Sequence, residues 1–179
     1  MKTIAFGASY SRQSINKKFA TYTSSLFLDI SEVLVLDLND FPLPLFTVDL
    51  EAEIGYPDAV QKFIDVIQSA DFLVISMTEH NGNFSAAFKN LFDWTSRVEG
   101  KIFEGKKMLL ISTSPGGRGG KSSLEIAKSR FPLHGAEILE TFSLPKFYEN
   151  FDESRGITND EFDKDFMTII AKLKKTISS

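Results

Sequence analysis

The chain has 179 residues, 20 Lys plus Arg against 24 Asp plus Glu, a net charge of −4 and no cysteine. This suits one domain, 1–179, with a single large core, and argues against a general nucleic-acid binder, which needs a basic footprint. Disulfides, thiol nucleophiles and thiolate metal sites are excluded; His80 and His134 lie too far apart to suggest zinc, and no signal peptide or membrane span is legible, so a cytoplasmic protein is expected.

Thr3-Ile4-Ala5-Phe6 predicts a first strand. Ile15, Phe19, Tyr22 and Leu26, at spacings of three and four, predict an amphipathic helix over 14–28. Val33-Leu34-Val35-Leu36 is a continuous apolar run, expected of a parallel strand covered on both faces. Pro42 and Pro44 then break the pattern, and a long packed loop is expected to about Tyr56. Pro57 suits the first turn of a helix whose apolar face is Val60, Phe63, Ile64 and Ile67.

Phe72–Met77 predicts a buried strand, with a polar loop, Thr78–Asn83, behind it. The next helix covers 85–98, where Trp94 shares a face with Phe88 and Leu91 and reads as packing or as a subunit contact. Met108–Ser112 is a further strand, running into the glycine-rich 113–120. A helix follows to Phe131, then a shorter strand over 136–142 and a loop over 145–156. Thr158 and Glu161 read as a capping box opening the last helix, with Phe162, Phe166, Ile169, Ile170 and Leu173 on one side. Most of the 17 phenylalanines are expected in the core.

Five strands alternating with five helices imply an α/β three-layer sandwich, and right-handed crossovers favour a five-stranded parallel sheet in the flavodoxin-like order 2-1-3-4-5. Ligands of such sheets sit outside the carboxyl ends of the strands, at the switch point between strands 1 and 3. The chain's three most unusual polar stretches, Ser9–Asn16, Thr78–Asn83 and Ser114–Gly120, all fall on that edge.

The first offers hydroxyls, a guanidinium and a helix start, the donors a phosphate needs; its plainer reading is a single serine capping the helix. The second offers the Asn81 amide to a ring edge, and the third has glycines that let backbone approach a flat ligand. Flavin mononucleotide (FMN) meets the description. Gly120-Lys121-Ser122 ends like a P-loop, but Pro115 stands where the opening glycine belongs. Glu79 and His80 are adjacent on a loop and make a poor acid–base pair.

The chain resembles the NADPH-dependent FMN reductases, the flavodoxin-like group that includes quinone, azo-dye and chromate reductases. The resemblance rests on the serine-rich loop ending Ser14-Ile15-Asn16, on Glu79-His80-Asn81-Gly82 with Phe88-Lys89-Asn90-Leu91-Phe92-Asp93-Trp94, and on Ser114-Pro115-Gly116-Gly117-Arg118-Gly119-Gly120. It implies an NAD(P)H-dependent oxidoreductase, with NADPH or NADH as hydride donor and a quinone, free flavin or similar small acceptor. It implies a homodimer, and that Ser9, Ser11, Arg12, Gln13, Ser14 and Asn16 hold the phosphate. Thr78, Glu79, His80, Asn81 and Gly82 would flank the ring with Ser114, Pro115, Gly116 and Gly117. No catalytic side chain and no metal are implied. Two positions depart from the family: Ser11 stands where it places an arginine, with Arg12 one residue on, and His80 replaces its tyrosine. A non-enzymatic flavodoxin-type electron carrier is the alternative.

Overall fold

The computed structural model describes residues 1–178. Strands β1 (Lys2–Gly7), β2 (Glu32–Val35), β3 (Phe72–Met77), β4 (Lys107–Thr113) and β5 (Glu137–Leu144) form one sheet, every pair parallel, in the order β2-β1-β3-β4-β5. This is the expected 2-1-3-4-5 arrangement. The helices are α1 (Ile15–Ser25), α2 (Val48–Ile54), α3 (Asp58–Gln68), α4 (Ala86–Val98), α5 (Lys121–Arg130) and α6 (Asp160–Ile177). None is long and apolar enough to cross a membrane among the described residues.

Strand alternation sorts the core into two layers. Ile4, Phe6, Leu73, Ile75, Met108 and Leu110 pack against the apolar faces of α3, α4 and α5. Ala5, Phe72, Val74, Leu109 and Ile111 pack on the other side with Phe19 of α1 and Phe166, Ile170 and Leu173 of α6. The strands β1, β3 and β4, buried along almost their whole length, are the ones read as continuous apolar runs. Gly7 matters to this stacking: a Cβ there would lie 2.3 Å from the Lys17 backbone nitrogen, so only glycine lets α1 approach the end of β1.

Several expectations are corrected. Strand β2 is not covered on both faces. It is an edge strand, and Leu34 is 39% exposed on its face. The stretch to Tyr56 is not all loop, since α2 interrupts it. The Thr47 hydroxyl accepts from the Leu50 N–H at 3.0 Å, and Asp49 and Glu51 in the first turn suit the helix dipole, a signal the upstream prolines obscured.

Pro57 is the cap of α3, one residue outside it. The capping residue of α6 is Asn159, whose Oδ1 accepts from Phe162 N–H at 3.1 Å, while the Thr158 hydroxyl donates to the Glu149 carbonyl. The expected loop 145–156 contains a helical turn, Phe147–Asn150, and a small antiparallel pairing of Phe151–Asp152 with Gly156–Ile157. Trp94 is fully buried, donates from Nε1 to the Pro44 carbonyl at 2.8 Å and meets Phe46 edge-on, so packing is its role.

Candidate functional site

The three polar loops converge at the carboxyl edge of β1, β3 and β4. They enclose a cleft of about 270 Å³. Ser9, Ser11, Gln13, Ser14 and Asn16 line it from the first loop, with Ile15. Thr78, Glu79 and His80 line it from the second, and Thr113, Ser114 and Pro115 from the end of β4; Tyr148 stands at its rim. Five expected site residues are not among the lining: Arg12, Asn81, Gly82, Gly116 and Gly117.

The first loop is built by its own hydroxyls. Ser9 Oγ accepts from the Ser11 N–H at 3.1 Å, and the Ser14 N–H donates to the Ser11 carbonyl. Ser14 Oγ caps α1, accepting from Lys17 N–H at 3.1 Å. The capping serine is therefore Ser14, and the hydroxyls of Ser9 and Ser11 take no part in capping the helix. The N–H groups of Ile15 and Asn16, the first two of α1, have no intrahelical acceptor, as at any helix start. Tyr10 anchors the loop to the core side by donating to the Phe41 carbonyl at 3.1 Å, and burial raises the pKa of its phenol.

Asn16 lines the cleft, but its side chain is engaged by the protein itself. It is 2% exposed. Its Oδ1 accepts from Ser76 Oγ at 2.7 Å and from Thr113 N–H at 3.1 Å, and its Nδ2 donates to the Thr113 carbonyl at 3.1 Å. One side chain thus ties the start of α1 to the ends of β3 and β4, the three elements that carry the loops. Helical periodicity cannot reveal this, because Asn16 is polar on an inward face and its partners lie 60 and 97 residues away.

In the second loop, Asn81 (φ 52°) and Gly82 (φ 75°) form the tip of a tight turn joining Glu79–His80 to Asn83–Phe84. Two positive φ values in an Asn-Gly pair are the signature of a type I′ hairpin. That role takes both residues to the exposed tip, away from the cleft lining. Glu79 reaches sideways: its Oε2 accepts from the N–H groups of Ser122 at 2.8 Å and Ser123 at 3.3 Å. The start of α5, which looked like half a P-loop, therefore already holds a carboxylate belonging to the chain. Thr78 is buried and its Oγ1 has no hydrogen-bond partner.

In the third loop, Gly119 (φ 61°) and Gly120 (φ 75°) make the tight entry to α5. The Gly119 carbonyl accepts from Ser112 Oγ at 2.7 Å and Ser143 Oγ at 3.0 Å. Gly116 and Gly117 are exposed, and a Cβ on either would meet open space, so they form a bare shelf beside the cleft. The backbone of this loop also receives the chain after β5: Phe147 N–H donates to Ser114 O and Lys146 N–H to Gly116 O, each at 3.0 Å. These bonds bring Tyr148, 73% exposed, to the rim. Nothing in the local pattern of 145–150 marked it, because it joins the site only through that docking.

A family model described as NADPH-dependent FMN reductase matches residues 1–149. The chain belongs to the NADPH-dependent FMN reductase family. The 2-hydroxy-1,4-benzoquinone reductase of a Burkholderia species is 30% identical over 157 residues, covering 87% of this chain and 81% of that protein. The NADPH:quinone oxidoreductase of Arabidopsis thaliana is 38% identical over 85 residues, covering 48% of this chain and 43% of that protein. The match spans about half the length of several such curated relatives. Among solved structures, FerB, a flavoenzyme NAD(P)H:(acceptor) oxidoreductase from Paracoccus denitrificans, superposes with a TM-score of 0.78 at 24% identity, covering 99% of this chain and 98% of that one. That likeness concerns the fold. The matched residues 1–149 include all three loops of the cleft and end one residue beyond Tyr148.

Proposed function

We propose that the chain, as a single flavin-binding domain over 1–179, is an FMN-dependent reductase that uses NAD(P)H to reduce quinones, free flavin or similar small acceptors in a ping-pong cycle. The observation that carries this reading is the convergence of the three loops on one cleft beside the start of α1. Ser9, Ser11, Gln13 and Ser14, with the unpaired N–H groups opening α1, offer a dianionic phosphate several donors and a positive dipole end. In this reading Thr78, Glu79 and His80 flank the ring together with Ser114 and Pro115, all of which line the cleft.

The cleft is near the lower end, about 300 Å³, of ordinary ligand sites. A flavin therefore extends over the bare shelf of Gly116 and Gly117, where no side chain is in its way. In this reading the Asn16 side chain positions the loops, and only its backbone N–H faces the phosphate with those of its neighbours. Asn81 and Gly82 set the hairpin, and Arg12 lies beside the cleft. Bound FMN supplies the hydride chemistry, so the protein need only bind, orient and tune it. His80 and Tyr148, both exposed at the rim, are placed to shape the acceptor's approach.

The family resemblance further supports a cytoplasmic homodimer. Leu45, Val48, Ile54 and Tyr56, all at least half exposed on and around α2, form an apolar surface suited to a second copy. The net charge of −4 supports small-molecule rather than nucleic-acid partners.

The test is a visible spectrum of the purified protein, before and after FMN, then with NADPH added anaerobically and a quinone last. A flavin band that NADPH bleaches and quinone restores is expected. A band that NADPH leaves untouched refutes the reductase, and a protein that ignores FMN refutes the flavin site.

A further inference from the structure

Arg12 is the residue that the flavin cleft leaves unexplained. It lines a second, larger hollow of about 580 Å³ on the other side of Ser14. Ser14 lines both hollows, so the second one opens at the phosphate end of the first. Its walls are the outer face of α1, with Lys17, Lys18, Thr21, Tyr22 and Ser25, and the chain just after Asn150, with Phe151, Glu153 and Ser154. A hollow of about 810 Å³ over α6 is lined by residues of that helix alone, so no second element encloses a ligand there.

The lining beside α1 has two characters. Three cations, Arg12, Lys17 and Lys18, are among the lining residues. Lys17 is matched by Asp37 at 2.5 Å and Lys18 by Glu153 at 2.5 Å. Arg12 makes no ion pair or hydrogen bond among the described residues and stays free to take a phosphate bidentately. The lining also includes two aromatic rings, Tyr22 and Phe151, which meet edge to face at 5.4 Å. Gly156 leaves Tyr22 its place, since a Cβ there would come within 2.4 Å of the Tyr22 ring and hydroxyl. Hydroxyls of Ser14, Thr21, Ser25 and Ser154 border the hollow. Its volume lies within the range of about 300–1,000 Å³ typical of small-molecule sites.

We infer that this second hollow receives the adenylate half of a dinucleotide whose other half reaches the first cleft, with Arg12 on a phosphate and the purine over Tyr22 and Phe151. The inference rests on the flavin reading for what occupies the first cleft. Two dinucleotides carry an adenylate to this place: FAD bound instead of FMN, and the NAD(P)H donor. Both need a cation beyond the first phosphate and an aromatic surface for the purine, and the hollow supplies them together.

The test uses Arg12→Ala and Thr21→Trp, the second filling the hollow from an exposed helix position whose hydroxyl bonds only within α1. AMP binding is measured by calorimetry, and FMN and FAD binding by flavin fluorescence. The expected result is AMP binding to the parent protein that falls at least tenfold in both variants, with FMN affinity unchanged within twofold. A parallel tenfold loss for FAD assigns the adenylate to the flavin; a tenfold rise in the KM for NADPH with FAD unchanged assigns it to the donor.

Absence of AMP binding to the parent protein, or variants that bind AMP, FAD and NADPH as the parent does, overturns the inference. So does an Arg12→Ala protein that loses FMN and FAD by the same factor, which would return Arg12 to the first cleft. Failure of FMN to bind the parent protein refutes the flavin reading separately, because the AMP measurement does not involve it.

Discussion

Replacing Asn16 with Ala removes three buried hydrogen bonds at once: those with Ser76 Oγ, Thr113 N–H and Thr113 C=O. Ser76 and Thr113 are themselves fully buried, so the groups left behind have little access to water. A net hydrogen bond is worth about 1 kcal/mol, and a buried group left unpaired costs about 1–3 kcal/mol. The strand ends keep part of their own bonding, so a total of about 2–4 kcal/mol is expected rather than the full sum. For a chain of this size that is a fall in Tm on the order of 10 °C.

The assay is urea denaturation of parent and variant, reading the midpoint at constant slope so that the change is one of stability. Because Asn16 holds the α1 start against β3 and β4, FMN affinity should fall with it, although its side chain is not placed on the phosphate. A variant within about 0.5 kcal/mol of the parent would refute the clip. A variant that loses flavin affinity without losing stability would put Asn16 on the ligand after all.

Two further outcomes follow from the charges. Glu79→Ala uncaps α5 by removing the acceptor of the Ser122 and Ser123 N–H groups, and should cost about 1–2 kcal/mol; Glu79→Gln keeps an acceptor and should recover part of the loss, whereas equal midpoints for all three proteins would refute the capping role. Asp37 is held at about 2, below its ordinary 3.8, chiefly by the Lys17 ammonium and then by the backbone and side-chain amides of Asn39. A folded-state pKa below the unfolded one gives stability that is fully present above the unfolded value and lost as pH falls through about 2. Both partners are about a third exposed, so screening limits the pair to about 1 kcal/mol or less. Asp37→Asn should flatten the stability–pH curve between those two values; curves of parent and variant that stay parallel there would refute the assignment.

The sheet and the position of the site were legible before any contact was known. Parallel strands buried on both faces read as near-continuous apolar runs, so Thr3–Phe6, Phe72–Met77 and Met108–Ser112 announced themselves. A parallel sheet with right-handed crossovers then leaves the loops after β1, β3 and β4 on one edge, whatever their detailed conformation. The family motifs lie in those same loops, which is why ten of the fifteen expected residues line the cleft.

The division of labour within the loops was another matter. Asn16, Glu79 and Asn81 all read as polar groups offered to a ligand. Only tertiary structure shows that Asn16 bonds residues 60 and 97 positions away, that Glu79 is spent on a helix 43 positions on, and that Asn81 turns a hairpin. Arg12 and Tyr148 make the same point from the other direction. Which hollow the guanidinium lines depends on α1 meeting the segment after Asn150, and the tyrosine reaches the rim because its neighbours bond to Ser114 and Gly116. Local pattern records which face of an element is apolar, because burial repeats with the backbone period. It carries no record of partners distant in the chain, and a polar side chain's role is set by those partners.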